Sequence, residues 1–487
     1  MKHTSIKKNF IFQMIYEVVI LILPLATSPY ISRIIGPEGV GIYSYHYSIV
    51  QYFMLFSVLG LKNYGNRVIA KCRDNRDDLN TVFSNLLTLH LIISSLVTLL
   101  YFVYILFFVN ADERIYAYIF TFAVLSSLFD ISWFYFGIEH FKVTVTVNIL
   151  TKITSFISIF VFVKNYDDLW IYCLILALGF FFQQFLLWFP LKKYVTFVRP
   201  SSALMMPHLK PMLILFIPSI AVSFYKYMDK IMIGAICDKV QLGYYENAEK
   251  VVAVPNTIIG AFGTVMLPRM SNIIDKRDRK ETLRYTQISM LYVMWMAYAL
   301  TFGLASVAQN FAPIFWGEHF TVSGDLIVYL CITIPFMSFA NVIRTQFLIP
   351  AERDREYIIS LISGAVVNLI INYLLLPVLG AMGAAIGTIV TEAIVCLIQC
   401  WYVRHDLPIG QYFKQSAIFI VFGMLMFVVS YQFGRIFGTS IKILILQILI
   451  GGVIYISISL IYFRIKKEPT FMSFLTKLKR IKPEKRV

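Results

Sequence analysis

Fourteen apolar runs, each long enough to cross a bilayer as a helix, follow one another along this chain. They lie at about 9 to 33, 39 to 61, 83 to 108, 115 to 138, 143 to 163, 169 to 190, 211 to 235, 243 to 267, 286 to 308, 326 to 348, 357 to 377, 380 to 402, 412 to 434 and 441 to 463. A helix rises about 1.5 Å per residue, so about 20 apolar residues cover a hydrocarbon core roughly 30 Å thick. The pattern predicts an all-α polytopic membrane protein with about 14 transmembrane helices. Composition agrees: 59% of the 487 residues are hydrophobic, 14% are charged, and mean hydropathy is +0.73. Counting domains by length therefore does not apply. The opening MKHTSIKKNF before an apolar run looks like a signal peptide, but the run continues through Glu17, Pro24 and Pro29 to Ile35 without a clear A-x-A site. It reads as an uncleaved first span.

The formal net charge of +16 is informative through its location. Lys and Arg collect at the amino terminus, in the 62 to 82, 191 to 210 and 268 to 285 loops, and in the tail, whereas the loops between show few. The positive-inside rule makes the basic side cytoplasmic, with both termini inside and Asn310 to Asp325 outside. Such a distribution points to a lipid surface and gives no reason for a nucleic-acid partner. The six cysteines are scattered and mostly lie inside apolar segments, forming neither a disulfide framework nor a metal box. No cofactor is expected.

An internal echo, Gly41-Ile42-Tyr43 after the first span and Gly243-Tyr244-Tyr245 after the seventh, suggests a repeat. The matching order of long basic loops and short opposite ones supports it. The expected organisation is an N-terminal lobe of helices 1 to 6 (1–200) and a C-terminal lobe of helices 7 to 12 (201–406). Helices 13 and 14 (407–464) and a basic cytoplasmic tail (465–487) follow.

Charge inside the apolar runs needs a reason, because an ionised group at the bilayer centre costs roughly 2.5–3.5 kcal/mol. Lys226, Asp229 and Lys230 share one helix, and Glu246, Glu249 and Lys250 the next, each set spaced to lie on one face. Two readings stay open. The faces line one cavity that binds an anion, or they form ion bridges that lock two helices together. Lys152 and Glu392 fall near mid-depth, and Glu17 and Asp130 lie in the inner half. Arg344 lies near the inner end of its helix, where a long side chain can snorkel, and Arg33 stands at the outer end of the first span. The candidate substrate-binding cations are Lys226, Lys230, Lys250, Lys152, Arg33 and Arg344. The candidate coupling or structural carboxylates are Glu17, Asp130, Asp229, Glu246, Glu249 and Glu392.

Three stretches carry a family resemblance. Asp130-Ile131-Ser132-Trp133-Phe134-Tyr135-Phe136-Gly137-Ile138-Glu139 resembles the Asp-x-x-Trp-aromatic-aromatic-x-Gly-x-Glu signature of bacterial polysaccharide flippases of the Wzx type. Tyr227-Met228-Asp229-Lys230-Ile231-Met232-Ile233-Gly234 with Leu242-Gly243-Tyr244-Tyr245 is similar to that family's helix 7 to 8 pattern, and Gly380-Ala381-Met382-Gly383-Ala384-Ala385 to its helix 12 start. The resemblance implies the multidrug/oligosaccharidyl-lipid/polysaccharide exporter superfamily, with two lobes about a cavity that opens alternately to each side. It also implies a polyprenyl-diphosphate-linked oligosaccharide substrate, moved across the bacterial cytoplasmic membrane for capsule, O-antigen or teichoic acid synthesis. Polymerase and glycosyltransferases of the same pathway would be its partners.

Other classes fit less well. A membrane enzyme of polysaccharide assembly would need a sizeable outer loop, and the largest here offers only Glu318, His319 and Asp325. A nucleotide-driven pump would need a G-x-x-x-x-G-K-[ST] loop, which the sequence lacks. A proton, a sodium ion or the membrane potential is then the expected energy source. A multidrug exporter of the same superfamily is the nearest rival, distinguished by a preference for cationic substrates. The orientation is directly testable: a cysteine at Gly317 is expected to react with an impermeant maleimide from outside intact cells. Labelling only from the cytoplasmic side reverses the topology.

Overall fold

A computed structural model of the chain describes residues 6–468 and Met472, with side-chain surroundings given from Ile22 onward except at Tyr225. All regular elements among these residues are helical. In chain order the α-helices are α1 (Ile6–Val58), α2 (Leu61–Cys72), α3 (Arg76–Phe108), α4 (Arg114–Leu128), α5 (Ser132–Gly137), α6 (Phe141–Phe162), α7 (Leu169–Phe185) and α8 (Ser202–Ile236). There follow α9 (Lys239–Asp275), α10 (Arg279–Trp316), α11 (Thr321–Leu330), α12 (Thr333–Ile343), α13 (Asp354–Leu379), α14 (Ala381–Val403), α15 (Ile409–Phe437) and α16 (Ile441–Ile465). A π-helical turn, Arg344–Leu348, extends α12.

Eleven helical segments among the described residues are long and apolar enough to cross a membrane, or 12 if Glu318–Leu330 and Thr333–Leu348, bent by 43°, make one span. The first two expected segments lie outside that count, on α1. This helix runs through both and breaks at Gly36, which adopts φ 64° and ψ −178°. Glycine accepts that conformation without a Cβ clash, and Pro37 after it has no N–H to return to the helix.

The chain forms two compact units that interleave along the sequence: Met1–Lys250 with Leu361–Gly387, and Val251–Ser360 with Thr388–Val487. In the first unit, α2 and α5 are joined through the aromatic signature. Trp133, Phe134 and Tyr135 are fully buried, and Gly65 of α2 leaves no room for a Cβ against the Trp133 ring. The Trp133 indole donates to the Asp130 carbonyl at 3.0 Å, the Tyr135 hydroxyl to the Leu187 carbonyl at 2.6 Å, and Arg73 bridges Glu139 at 2.6 Å. The signature is therefore a packing joint. Asn80, Ser84 and Asn85, buried on α3, accept the backbone N–H groups of Thr196, Val198 and Ser201 at 2.8–2.9 Å. They pin the extended segment that leads into α8.

In the second unit α10 packs on α15 and α16. Ser306 donates to Ser430 at 3.2 Å, the Gln447 amide donates to the Ser430 carbonyl at 3.0 Å, and the Tyr455 hydroxyl donates to the Trp295 carbonyl at 2.7 Å. The expected outer loop from Asn310 to Asp325 is mostly helix, since α10 continues to Trp316 and α11 begins at Thr321. Its polar residues are partnered: Asn310 donates to Gln447 at 2.9 Å and Gln309 to Asp325 at 3.0 Å. Apolarity alone misplaces such an end, because the helix outruns its apolar stretch. The same holds at the other end of α10, where Asp278 caps the helix by accepting from Glu281 N at 2.9 Å inside the basic 268 to 285 stretch. The tail beyond Glu468, apart from Met472, lies outside the described residues.

If the signature is a joint, Tyr135→Phe strands the buried Leu187 carbonyl. The variant is expected to lose about 1–3 kcal/mol of stability, seen as a lower melting temperature in detergent, with transport per folded molecule unchanged. A loss of transport at wild-type stability would show that the hydroxyl has a direct role.

Candidate functional site

The two segments of the sequence echo meet within the first unit. A Cβ on Gly41 would stand 1.7 Å from the Lys239 carbonyl oxygen, and one on Gly243 would stand 1.9 Å from the Pro37 carbonyl oxygen. The contacts are reciprocal in register, since Gly41 follows Pro37 by four residues as Gly243 follows Lys239. Only the absence of both side chains lets α1 and α9 cross backbone to backbone. Beside the crossing, Glu113 accepts from His46 at 3.1 Å and pairs with Lys239 at 3.4 Å, and the Lys239 ammonium sits 3.3 Å from the centre of the Tyr45 ring.

One turn further along both helices lies the ion network. Lys230 Nζ is 2.7 Å from Glu246 Oε2 and 2.6 Å from Glu249 Oε2, and Lys250 Nζ is 3.1 Å from Glu246 Oε1. Ser44 of α1 donates to Glu246 at 2.7 Å, and Asn247, between the two glutamates, donates to Ser32 at 2.8 Å. Glu246 is only 6% exposed. Two ammonium groups and two carboxylates balance, so this network carries no surplus charge.

Asp229 has partners of its own. Its carboxylate accepts from the Tyr245 hydroxyl at 3.0 Å and from Asn372 of α13 at 2.6 Å. Lys226 is exposed, with its ammonium 5.3 Å from the centre of the neighbouring Tyr227 ring. Lys152 of α6 lines a cavity of about 170 Å³ with Tyr43, Tyr47, Tyr172, Gln183 and Lys250. Neither Lys152 nor Lys226 forms an ion pair with a described carboxylate.

The remaining candidates lie apart from these residues. Asp130 pairs with Lys62 at 3.6 Å and accepts from the N–H of Ser132, the first residue of α5, at 3.0 Å. Arg33 is exposed on α1. Arg344 and Glu392 belong to the second unit. The Arg344 guanidinium lies 5.6 Å from the centre of the Tyr357 ring, and Glu392 is 3% exposed, with Oε1 lacking a hydrogen-bond partner among the described residues. The Glu17 side chain lies outside the described residues. Among those residues no group of three or more His, Cys, Asp and Glu could hold a metal ion.

Sequence reasoning missed Ser44, Tyr245, Asn247 and Asn372. A usable signal existed for one of them: Asn368 and Asn372, spaced i and i+4 in an apolar run, mark a polar stripe, and they bond to each other at 3.2 Å. Nothing local marks Ser44, whose partner is 202 residues away.

Lys230 offers a sharp test of the network. Lys230→Met leaves two glutamates facing each other without their shared cation and is expected to cost about 3–5 kcal/mol, read as lost abundance in the membrane. Adding Glu249→Gln, which leaves Glu246 paired with Lys250, should restore abundance, whereas adding Asp229→Asn should not. Recovery with Asp229→Asn alone would contradict the observed pairing.

The family model described as polysaccharide biosynthesis protein matches residues 6–274, more than half of the chain. A putative O-antigen transporter of Shigella dysenteriae is 22% identical over 398 residues, covering 80% of this chain and 98% of that protein. In fold, the chain is similar to the lipid II flippase MurJ in an inward closed conformation, with a TM-score of 0.77 at 15% identity over 94% of this chain and 98% of that one. It is also similar to an inward-facing multidrug resistance MATE family transporter of the MOP superfamily, with a TM-score of 0.61 at 13% identity over 82% and 96% of the two chains. With its helix-only architecture, its aromatic joint and its paired charges at the α1 and α9 crossing inside the matched span, the chain belongs to the polysaccharide biosynthesis protein family.

Proposed function

We propose that the chain is a transporter, not an enzyme, that flips a polyprenyl-diphosphate-linked oligosaccharide from the inner to the outer leaflet of a bacterial cytoplasmic membrane. The observation that carries this reading is the nearly end-to-end similarity to a putative O-antigen transporter, covering 98% of that protein. Both termini are cytoplasmic in this reading, and the product feeds polymer synthesis by polymerase and glycosyltransferases of the same pathway. The sugar headgroup cannot cross lipid alone, and the chain supplies polar groups inside its apolar helices to replace part of the lost hydration.

Alternating access supplies the route, with lobes formed by helices 1 to 6 and 7 to 12. The crossing at Gly41 and Gly243 is the closed contact of one state. The Lys230, Glu246, Glu249 and Lys250 network stabilises that state and opens when the lobes part, which frees its cations for the substrate. Lys152, Lys226, Arg33 and Arg344 complete the cationic set. The inside-negative membrane potential favours outward movement of an anion by about 2.3 kcal/mol per charge per 100 mV. Of the candidate coupling carboxylates, Asp130 is held by Lys62, and Glu392, buried with an oxygen that has no hydrogen-bond partner among the described residues, is the one we assign to bind a proton or sodium ion.

Export of cationic drugs is the second reading, favoured by the likeness in fold to the multidrug transporter. Lys152 and Lys226, without ion-pair partners among the described carboxylates, argue against it, because a site for cations would not expose surplus ammonium groups. Proteoliposomes separate the two. The wild-type protein is expected to expose a fluorescent polyprenyl-diphosphate-linked oligosaccharide to an impermeant quencher and to leave ethidium where it is. Gly41→Val, which fills the crossing, should reduce flipping by about tenfold or more, since about 1.4 kcal/mol against the closed state suffices. Ethidium transport without lipid flipping would refute the assignment.

A further inference from the structure

We propose that the cavity inside the first unit is a subsite for one sugar ring bearing a carboxylate, with Lys152 as the counter-ion that reads the charge. The inference rests on the flippase reading and narrows the substrate class to repeat units that contain an acidic sugar. Size is the first argument. The cavity measures about 170 Å³. That is close to the roughly 150 Å³ that accepts a benzene ring and below the roughly 300–1,000 Å³ of pockets for larger ligands. It has room for one ring, not for the whole oligosaccharide.

The lining is the second argument. A pyranose has apolar C–H faces and a polar edge. One wall of the cavity is aromatic: Tyr43 lies 5.5 Å from Tyr47 and 5.0 Å from Tyr172, centre to centre. Thr27, Ser155 and Gln183 supply hydroxyl and amide groups on the lining. Gly179 preserves the space beside Ser155, since a Cβ there would stand 2.6 Å from the Ser155 oxygen. Aromatic faces with a few convergent polar groups suit a ring of this kind.

Charge is the third argument, and it selects among anions. Two lysines line the cavity, but Lys250 is tied to Glu246 at 3.1 Å. Lys152 forms no ion pair with a described carboxylate. One uncompensated ammonium matches one carboxylate. A diphosphate carries more charge than it can neutralise, so the carrier's headgroup belongs elsewhere. A cation kept at mid-depth without an ion-pair partner among the described carboxylates costs stability, and an anionic ligand offsets that cost in the loaded state.

The test uses the full-length protein in nanodiscs with sodium glucuronate, glucose and inorganic diphosphate as probes, read by saturation-transfer NMR. Glucuronate is expected to bind more tightly than glucose. Lys152→Met, which removes an unpaired charge without leaving a void, should fold normally and weaken glucuronate by about tenfold or more, the loss of one charge-assisted hydrogen bond. Lys152→Arg should retain most of the binding. Equal glucuronate binding by Lys152→Met and wild type, or protection by diphosphate and not by glucuronate, overturns the proposal. In vesicles, Lys152→Met should reduce flipping of an acidic lipid-linked oligosaccharide by a larger factor than that of a neutral one; equal effects on both also overturn it. If the wild-type protein moves neither lipid, the flippase reading fails, while the NMR result still decides the cavity.

Discussion

The approach of α1 and α9 at Gly41 and Gly243 sets the geometry on which the rest of the first unit depends. Both contacts put a glycine against a backbone carbonyl closer than any Cβ would allow. That proximity lets Ser44 of α1 reach Glu246 of α9, and Ser32 reach Asn247. These are direct, buried hydrogen bonds between residues about 200 positions apart. Without the crossing, Glu246 would keep its lysines but lose the hydroxyl that shares its Oε2 with Lys230, and a partly satisfied buried carboxylate is costly.

Charge accounting around the crossing separates two roles that residue type leaves mixed. Lys230 and Lys250 are compensated by Glu246 and Glu249, so in this state they bind the protein to itself. Lys152 and Lys226 are not compensated by any described carboxylate. The distinction matters for transport, because a cation already paired must exchange one anion for another, whereas an unpaired one can attract a ligand at once. A flippase needs both kinds. Exchangeable pairs make a state that can be left, and free charge makes a site that can be entered.

The aromatic signature shows how a family motif can be structural. Trp133, Phe134 and Tyr135 fill the joint between α2 and α5, Asp130 accepts from the N–H of Ser132, and Glu139 is drawn to Arg73. The joint fixes α2 after the first helix, and Asn80, Ser84 and Asn85 of α3 pin the extended segment before α8. Both determine how α8, which carries Lys226, Asp229 and Lys230, is presented.

Much of this was legible in the residues themselves. Apolar run length alone determines a helical membrane protein, because lipid leaves the backbone no other partner than its own carbonyls. The clustering of Lys and Arg in alternate loops, the paired charges on α8 and α9 and the Gly-x-Tyr echo are equally plain in the sequence. What it could not determine was the pairing. Spacing leaves open which carboxylate each lysine meets, and tertiary structure turns Asp229 to Tyr245 and Asn372 and gives Lys230 to the glutamates of the next helix. The extension of α10 through the expected loop likewise depends on Gln447 and Asp325 meeting polar residues at its end. The physical reason is common to all three. Helix formation in lipid is a local demand that the sequence answers residue by residue, while the partner of a buried charge is whichever group the crossing of distant helices brings within hydrogen-bond reach.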